Sequence, residues 1–230
     1  MSLGIGLDWA PLWLTLRLAL CTTVLLLLFG VPFSYWLAHT RTRWKPVFET
    51  LVGMPLVLPP SVLGFYLLLA FSPQHAFGRW MEQTVHLSLV FSFAGLVLGS
   101  LIFSLPFMVQ PLQAGFQNLP ASLLEASRTL GKPDMVSLFR VLLPNMKPAL
   151  LTGIVLSFAH AIGEFGVVLM IGGNIPGVTR VASLAIYDEV ESLHYAEANA
   201  YAAVLFGMSF AILLAVHLLK KRWAGKGGVP

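Results

Sequence analysis

Charge is the scarcest property of this sequence. Asp, Glu, Lys and Arg supply 10% of its 230 residues, against about 25% in an ordinary soluble domain. So few charged groups cannot cover a water-facing surface, which excludes a soluble globular protein and implies one integral membrane domain, residues 1–230. Cysteine is nearly absent as well. Cys21 stands alone inside an apolar run, so no internal disulfide forms and thiol redox chemistry has no second sulfur. A phosphate-cradling loop is missing, because neither Gly131-Lys132-Pro133 nor Gly225-Lys226-Gly227 completes G-x-x-x-x-G-K-[ST]. The six histidines are scattered, with no H-E-x-x-H pair and no G-x-S-x-G. No catalytic residue, metal ligand set or cofactor is therefore expected.

What is present is long apolar runs. A helix needs about 20 apolar residues to cross a bilayer core, and five stretches qualify: residues 12–37, 50–72, 87–109, 149–171 and 198–219. The fold class expected is all-α transmembrane, with about five spanning helices. A further, non-spanning helix on the outer face has room between residues 181 and 198. Arg41, Arg43 and Lys45 follow the first run. Arg128, Lys132, Arg140 and Lys147 follow the third, and Lys220, Lys221, Arg222 and Lys226 the fifth. These eleven of the fourteen basic residues lie on one side, against Arg79 and Arg180 on the other. By the positive-inside rule the N-terminus is outside and the C-terminus cytoplasmic. The basic residues mark topology, so no nucleic-acid partner is expected. The first run lacks a basic leader and is too long for a secretory signal, so it stays in the mature protein. Too few residues follow the fifth run to form a regulatory domain.

The third and fourth runs are joined by a polar segment, residues 110–148, which the orientation makes cytoplasmic. Pro120 suits a first helical turn. Gly131 supplies the left-handed residue that ends a helix. Pro133 starts a second helix, with Asp134 near its positive end. Glu125-Ala126-Ser127, then Gly131, then Val141-Leu142-Leu143-Pro144 resembles the EAA loop of importer-type ABC permeases. It departs from that pattern only at Ser127 and Val141. The resemblance implies that Glu125, Ala126, Ser127, Gly131, Val141, Leu143 and Pro144 dock into a groove on a separate cytoplasmic ATPase. Small side chains at Ala126 and Ser127 would let the partner surface approach closely.

Two further stretches point to a pathway or gate. In Met54-Pro55-Leu56-Val57-Leu58-Pro59-Pro60-Ser61 the prolines free backbone carbonyls, and Ser61 adds a hydroxyl. Broken helices of this kind line pathways in transporters, although a simple kink is the alternative. Glu164 lies about 10 Å along the fourth run from its outer end. An ionisable group at that depth faces the interior and takes a partner. Arg17, at comparable depth in the first run, has the opposite sign: the two pair, directly or across a dimer, or both bear on an outer gate, and the alternative for Arg17 is a side chain that snorkels to the interface.

Gly163-Glu164-Phe165-Gly166 followed by Gly172-Gly173-Asn174-Ile175-Pro176-Gly177 is similar to the molybdate branch of these permeases. The first four residues are shared with sulfate and thiosulfate permeases. The resemblance implies a multi-pass subunit of the bacterial inner membrane, acting as a homodimer with an extracytoplasmic molybdate-binding protein. Asn174 then belongs with the gate candidates. The acidic residues Asp188, Glu189 and Glu191 form a candidate docking surface for that binding protein. Sulfate, thiosulfate or tungstate import is the neighbouring reading, and a passive anion channel or a membrane scaffold are the rivals from other classes.

Overall fold

The computed structural model describes residues 8–224, and every regular element among them is a helix. In chain order they are α1 (Ala10–His39), α2 (Lys45–Val57), α3 (Pro60–Phe71), α4 (Ala76–Val85), α5 (Phe93–Gln117), α6 (Ala121–Thr129), α7 (Asp134–Asn145), α8 (Lys147–Gly163), α9 (Gly166–Gly172), α10 (Ala182–Glu191) and α11 (Tyr195–Ala224). The basic residues at the end of the chain, Lys220, Lys221, Arg222 and Lys226, lie outside the described side chains.

Three of the five expected runs are single helices long and apolar enough to cross a membrane: α1, α5 and α11. The other two are broken. The expected span 50–72 is α2 and α3, bent by 115° at Leu58 and Pro59, far more than the kink one proline imposes. Consecutive Pro59 and Pro60 remove two backbone donors, and Pro59 holds the residue before it extended (Leu58 ψ 135°). Thirteen and twelve residues reach only about 20 Å each, so neither half crosses a bilayer core alone. The expected span 149–171 stops at Gly163 and resumes at Gly166.

α5 is displaced along the chain relative to the expected 87–109. It starts at Phe93 because the Ser92 hydroxyl caps it, accepting from the Gly95 N–H at 3.2 Å. The chain before it folds back on this first turn, and a Cβ at Gly95 would lie 1.7 Å from the Leu89 carbonyl oxygen. Its far end runs to Gln117, so residues 110–117 of the expected coupling loop are helix. There the Gln113 amide donates to Glu49 on α2 at 2.6 Å.

The centre of the molecule is α5 packed between α1 and α8. Leu14 and Leu18 share a buried cluster with Leu96 and Val97, and Leu26 and Val31 share one with Met108 and Leu112; Tyr35 meets Phe116 edge-on. These pairs advance together, so α1 and α5 run parallel. α8 runs the other way, since Gly115 abuts Ala149, Met108 abuts Gly153 and Phe103 abuts His160. Small residues set these close approaches, as they do between membrane helices generally. α10 is the additional short helix. It is fastened to α1 by the Ala182 N–H, which donates to Thr15 Oγ1 at 2.8 Å. Helix α4 was not anticipated from the sequence; its ten residues present Phe77 and Trp80 outward.

Candidate functional site

The hairpin of α6 and α7 carries the residues that resemble a coupling loop. Pro120 stands immediately before α6 and its carbonyl accepts from Leu123. Gly131 takes φ +69°, and the Lys132 N–H returns to the Ser127 carbonyl at 3.2 Å, which turns the chain. Pro133 then opens α7, its carbonyl accepting from the Ser137 N–H at 3.0 Å. The start, turn and restart fall where the sequence puts them.

Two contacts brace the arms. Ser127 Oγ and Ser137 Oγ are 2.6 Å apart and buried. Outside them, Arg128 Nε and Nη2 donate to the two oxygens of Asp134 at 3.1 and 3.3 Å. Leu138 and Leu142 anchor the hairpin in the cluster formed by Phe116, Leu112 and Met146. Residues Leu138–Leu142 form a π turn, with the Leu143 N–H bonded to the Leu138 carbonyl. It lies just ahead of Pro144, whose ring would clash with the Arg140 carbonyl in a regular helix.

Glu125 and Ala126 are exposed, Val141 and Leu143 half-buried, and Pro144 exposed. Ser127 corrects the expectation of a small-residue docking face. It is 5% exposed and faces α7, so its size serves the packing of α6 on α7. Glu125 and Arg128 also line a cleft of about 530 Å³ with His39, Arg41 and Gln117, between the hairpin and the ends of α1 and α5.

The pathway candidates come together at the two helix breaks. A cavity of about 480 Å³ is lined by Pro60, Ser61, Phe103, His160, Glu164 and Met170, among others. α3 and α9 touch through glycine. A Cβ at Gly166 would lie 2.8 Å from the Pro60 Cβ, and one at Gly64 would lie 2.8 Å from the Met170 Cβ. Pro59, Pro60 and Ser61 are exposed. Glu164 ends α8 in an extended conformation (ψ 130°), so it sits at the break and not within a continuous helix. Its side chain is 3% exposed and neither carboxylate oxygen has a hydrogen-bond partner within the protein. Ser100 on α5 is in interaction range without forming a well-made hydrogen bond. The Glu164 carbonyl accepts from Ser183 Oγ at 2.6 Å, which ties the break to α10.

The direct pairing of Arg17 with Glu164 is not found. Arg17 is exposed and its guanidinium lies 4.7 Å from the centre of the Phe93 ring. Its long stem lets the charge leave the apolar interior, while Glu164 stays buried in the wall of the cavity.

Asn174 adopts φ 58° at the turn after α9, and its amide donates to both Asp188 oxygens at 2.8 Å. Arg180 is 3.1 Å from Asp188 and 3.6 Å from Glu189. Glu191 accepts from the Tyr187 hydroxyl. The acidic cluster expected as a docking surface is thus largely engaged internally, which corrects that expectation. Arg128, Asp134, Ser137 and His160 are the residues that sequence reasoning did not assign to a site. The one available signal was His160 four residues before Glu164, which places both on the same helical face.

With this geometry in hand, similarity to known proteins decides the family. Residues 30–224 match the model of the binding-protein-dependent transport system inner membrane component. The chain belongs to that family. This permease component is similar to the molybdenum transport system permease protein ModB of Azotobacter vinelandii, 45% identical over 95% of this chain and 96% of that protein. It is 30% identical to the putative molybdenum transport system permease protein YvgM of Bacillus subtilis, over 95% and 96%. With the sulfate transport system permease protein CysT of Escherichia coli it shares 29%, over 94% and 83%. A chain of the inward-facing MetNI methionine ABC transporter superposes with TM-score 0.72 at 18% identity, covering 96% of this chain and 99% of that one. The fold is that of an ABC importer permease, and the protein is a multi-pass inner-membrane component.

Proposed function

We propose that this chain imports molybdate as one half of a homodimeric membrane unit, driven by a separate ATPase docked on the α6–α7 hairpin and supplied by an extracytoplasmic molybdate-binding protein. The observation that carries the mechanism is the braced hairpin. Its exposed Glu125 and Ala126 stand on two helices that Ser127–Ser137 and Arg128–Asp134 join into one body. A load applied there passes through buried Leu138 and Leu142 to α5 and α8. Molybdate is favoured by the 45% identity to a molybdenum permease over nearly the whole length of both proteins, against 29% to a sulfate permease.

The N-terminus is outside and the hairpin cytoplasmic in this reading, as the basic residues require. The cavity at the two breaks, with Ser61 and Glu164 in its wall, belongs to the translocation pathway, and a second copy closes its open side. Glu164 is buried without a cationic partner and so offers no positive charge to an oxyanion; it is a positioning group there, and selectivity rests with the binding protein.

The test is ATP-dependent uptake of labelled molybdate into vesicles containing this chain, its ATPase and its binding protein, with excess sulfate as competitor. Uptake that resists sulfate and fails in Gly131→Pro supports the reading. Uptake abolished by sulfate assigns the protein to sulfate import, and flux without ATP removes the coupling role of the hairpin.

A further inference from the structure

Helix α2 runs antiparallel to α5 and covers the crevice between α1 and α5 over only part of its length. Gln113 meets Glu49 at 2.6 Å, and Val52 shares a buried cluster with Val109 and Leu37. At this pace the last turn of α2 comes level with Leu105, and there the chain turns away by 115° into α3. The crevice beyond stays open. It is a groove of about 460 Å³ lined by Leu25, Phe29, Phe33, Leu101, Ile102 and Leu105, among other apolar residues, and Phe29 is 65% exposed.

A chain of contacts leads from this groove to a cation. The Phe33 ring stacks on Trp36 with centroids 5.8 Å apart, and Trp36 meets Phe48 edge-on at 5.1 Å. The Phe48 N–H bonds to the Trp44 carbonyl at 3.2 Å, and the Arg43 guanidinium lies 5.6 Å from the Trp44 ring centre. Trp36, Trp44, Arg41 and Arg43 are all exposed. No ion pair joins Arg41, Arg43 or Lys45 to an acid among the described residues. Tryptophan rings settle at the membrane–water interface, so the groove ends at headgroup level. From Leu25 to Phe33 it runs about 12 Å along α1, within the roughly 15 Å that one leaflet gives to the bilayer core.

Charge selects the occupant. Copies in one membrane share a depth, and Tyr35 against Phe116 puts the α1–α2 corner level with the end of α5. The hairpin that follows α5 carries Arg128, Lys132 and Arg140. A second copy seated here would set basic residues against basic residues, whereas an anionic phospholipid sets a phosphate against them. We infer that the α1–α5 groove holds an anionic phospholipid, with an acyl chain along Phe29 and Ile102 and its headgroup at Arg43 beside Trp44. The chain lies where a straight continuation of α2 would lie, and so props the bend. Which leaflet supplies the lipid rests on the orientation proposed above. The site itself does not, and neither ATP nor molybdate enters its test.

Native mass spectrometry of the assembled transporter tests it, after exchange in detergent with equal amounts of phosphatidylglycerol and phosphatidylcholine of identical chains. One phosphatidylglycerol is expected to stay with each copy of this chain, several-fold in excess of phosphatidylcholine. Arg43→Glu is expected to remove that preference. Ile102→Trp, which fills the groove and keeps every charge, is expected to reduce retention several-fold; Leu25→Trp does the same if the first variant does not fold. Equal retention of the two lipids overturns the inference, as does a preference that survives Arg43→Glu. Retention unchanged in the groove variants overturns it too, because the lipid is then held by charge alone. A groove variant that folds but releases a copy of this chain from the assembly makes the groove a subunit contact and overturns it as well.

Discussion

Ser127 and Ser137 meet through their hydroxyls, 2.6 Å apart, at the buried centre of the α6–α7 hairpin. Ser127 stands where the pattern of this loop has a second alanine, so the serine adds a hydrogen bond to a contact that already requires a small residue. Ser137 keeps a second acceptor, the Pro133 carbonyl at 3.2 Å. Ser127→Ala is expected to cost about 1 kcal/mol and to leave transport intact. Ser127→Leu overpacks the same contact, costs about 1–3 kcal/mol and uncouples ATP hydrolysis from uptake by spreading α6 from α7. Thermal unfolding in detergent, together with uptake per ATP hydrolysed, separates the two variants.

The Arg128–Asp134 pair makes two hydrogen bonds, but its side chains are more than half exposed. Water and salt screen it, so it adds little to global stability. Its expected role is to hold the angle of the hairpin. Arg128→Asp or Asp134→Arg lowers transport with little change in melting temperature, and the double swap recovers it. Uptake measured for the three variants at low and at high salt checks this, and wild-type uptake that is unaffected by Arg128→Asp excludes the bracing role.

Gly131 has φ +69° and nothing within 4 Å of a Cβ built on it. Only backbone conformation opposes substitution. Gly131→Ala is expected to cost about 1 kcal/mol, and Gly131→Asn less, with the hairpin still formed. Gly131→Pro cannot take a positive φ and abolishes coupling. Uptake in the order Gly, Asn, Ala, Pro is the expected result.

Gly166 and Gly163 flank the same break with opposite surroundings. A Cβ at Gly166 meets the ring of Pro60 at 2.8 Å, whereas one at Gly163 meets nothing within 4 Å. Gly166→Ala therefore pushes α9 off α3, at about 1–3 kcal/mol, and reduces uptake. Gly163→Ala leaves both near wild type. Equal uptake by the two variants, at equal amounts in the membrane, excludes the contact between the breaks as part of the gate.

The sequence by itself determined the membrane class, the positions of the apolar runs and the outline of the hairpin. Each of these rests on local chemistry: too few charges to meet water, runs long enough to cross hydrocarbon, and Pro120, Gly131 and Pro133 with dihedral demands that hold in any context. Room for a non-spanning helix between residues 181 and 198 was visible in the sequence, but only the structure decided that α10 forms there. Only the tertiary structure decided which faces turn inward. It bent α2 from α3 by 115°, brought Pro60 onto Gly166 across about a hundred residues of chain, turned Ser127 away from any partner, sent Arg17 to Phe93 and consumed the acidic residues near 188 with Arg180 and Asn174. In a soluble protein the apolar stripe of a helix announces its buried face. In a bilayer, lipid and protein are equally apolar, so that signal vanishes and packing between small residues distant in sequence makes the choice.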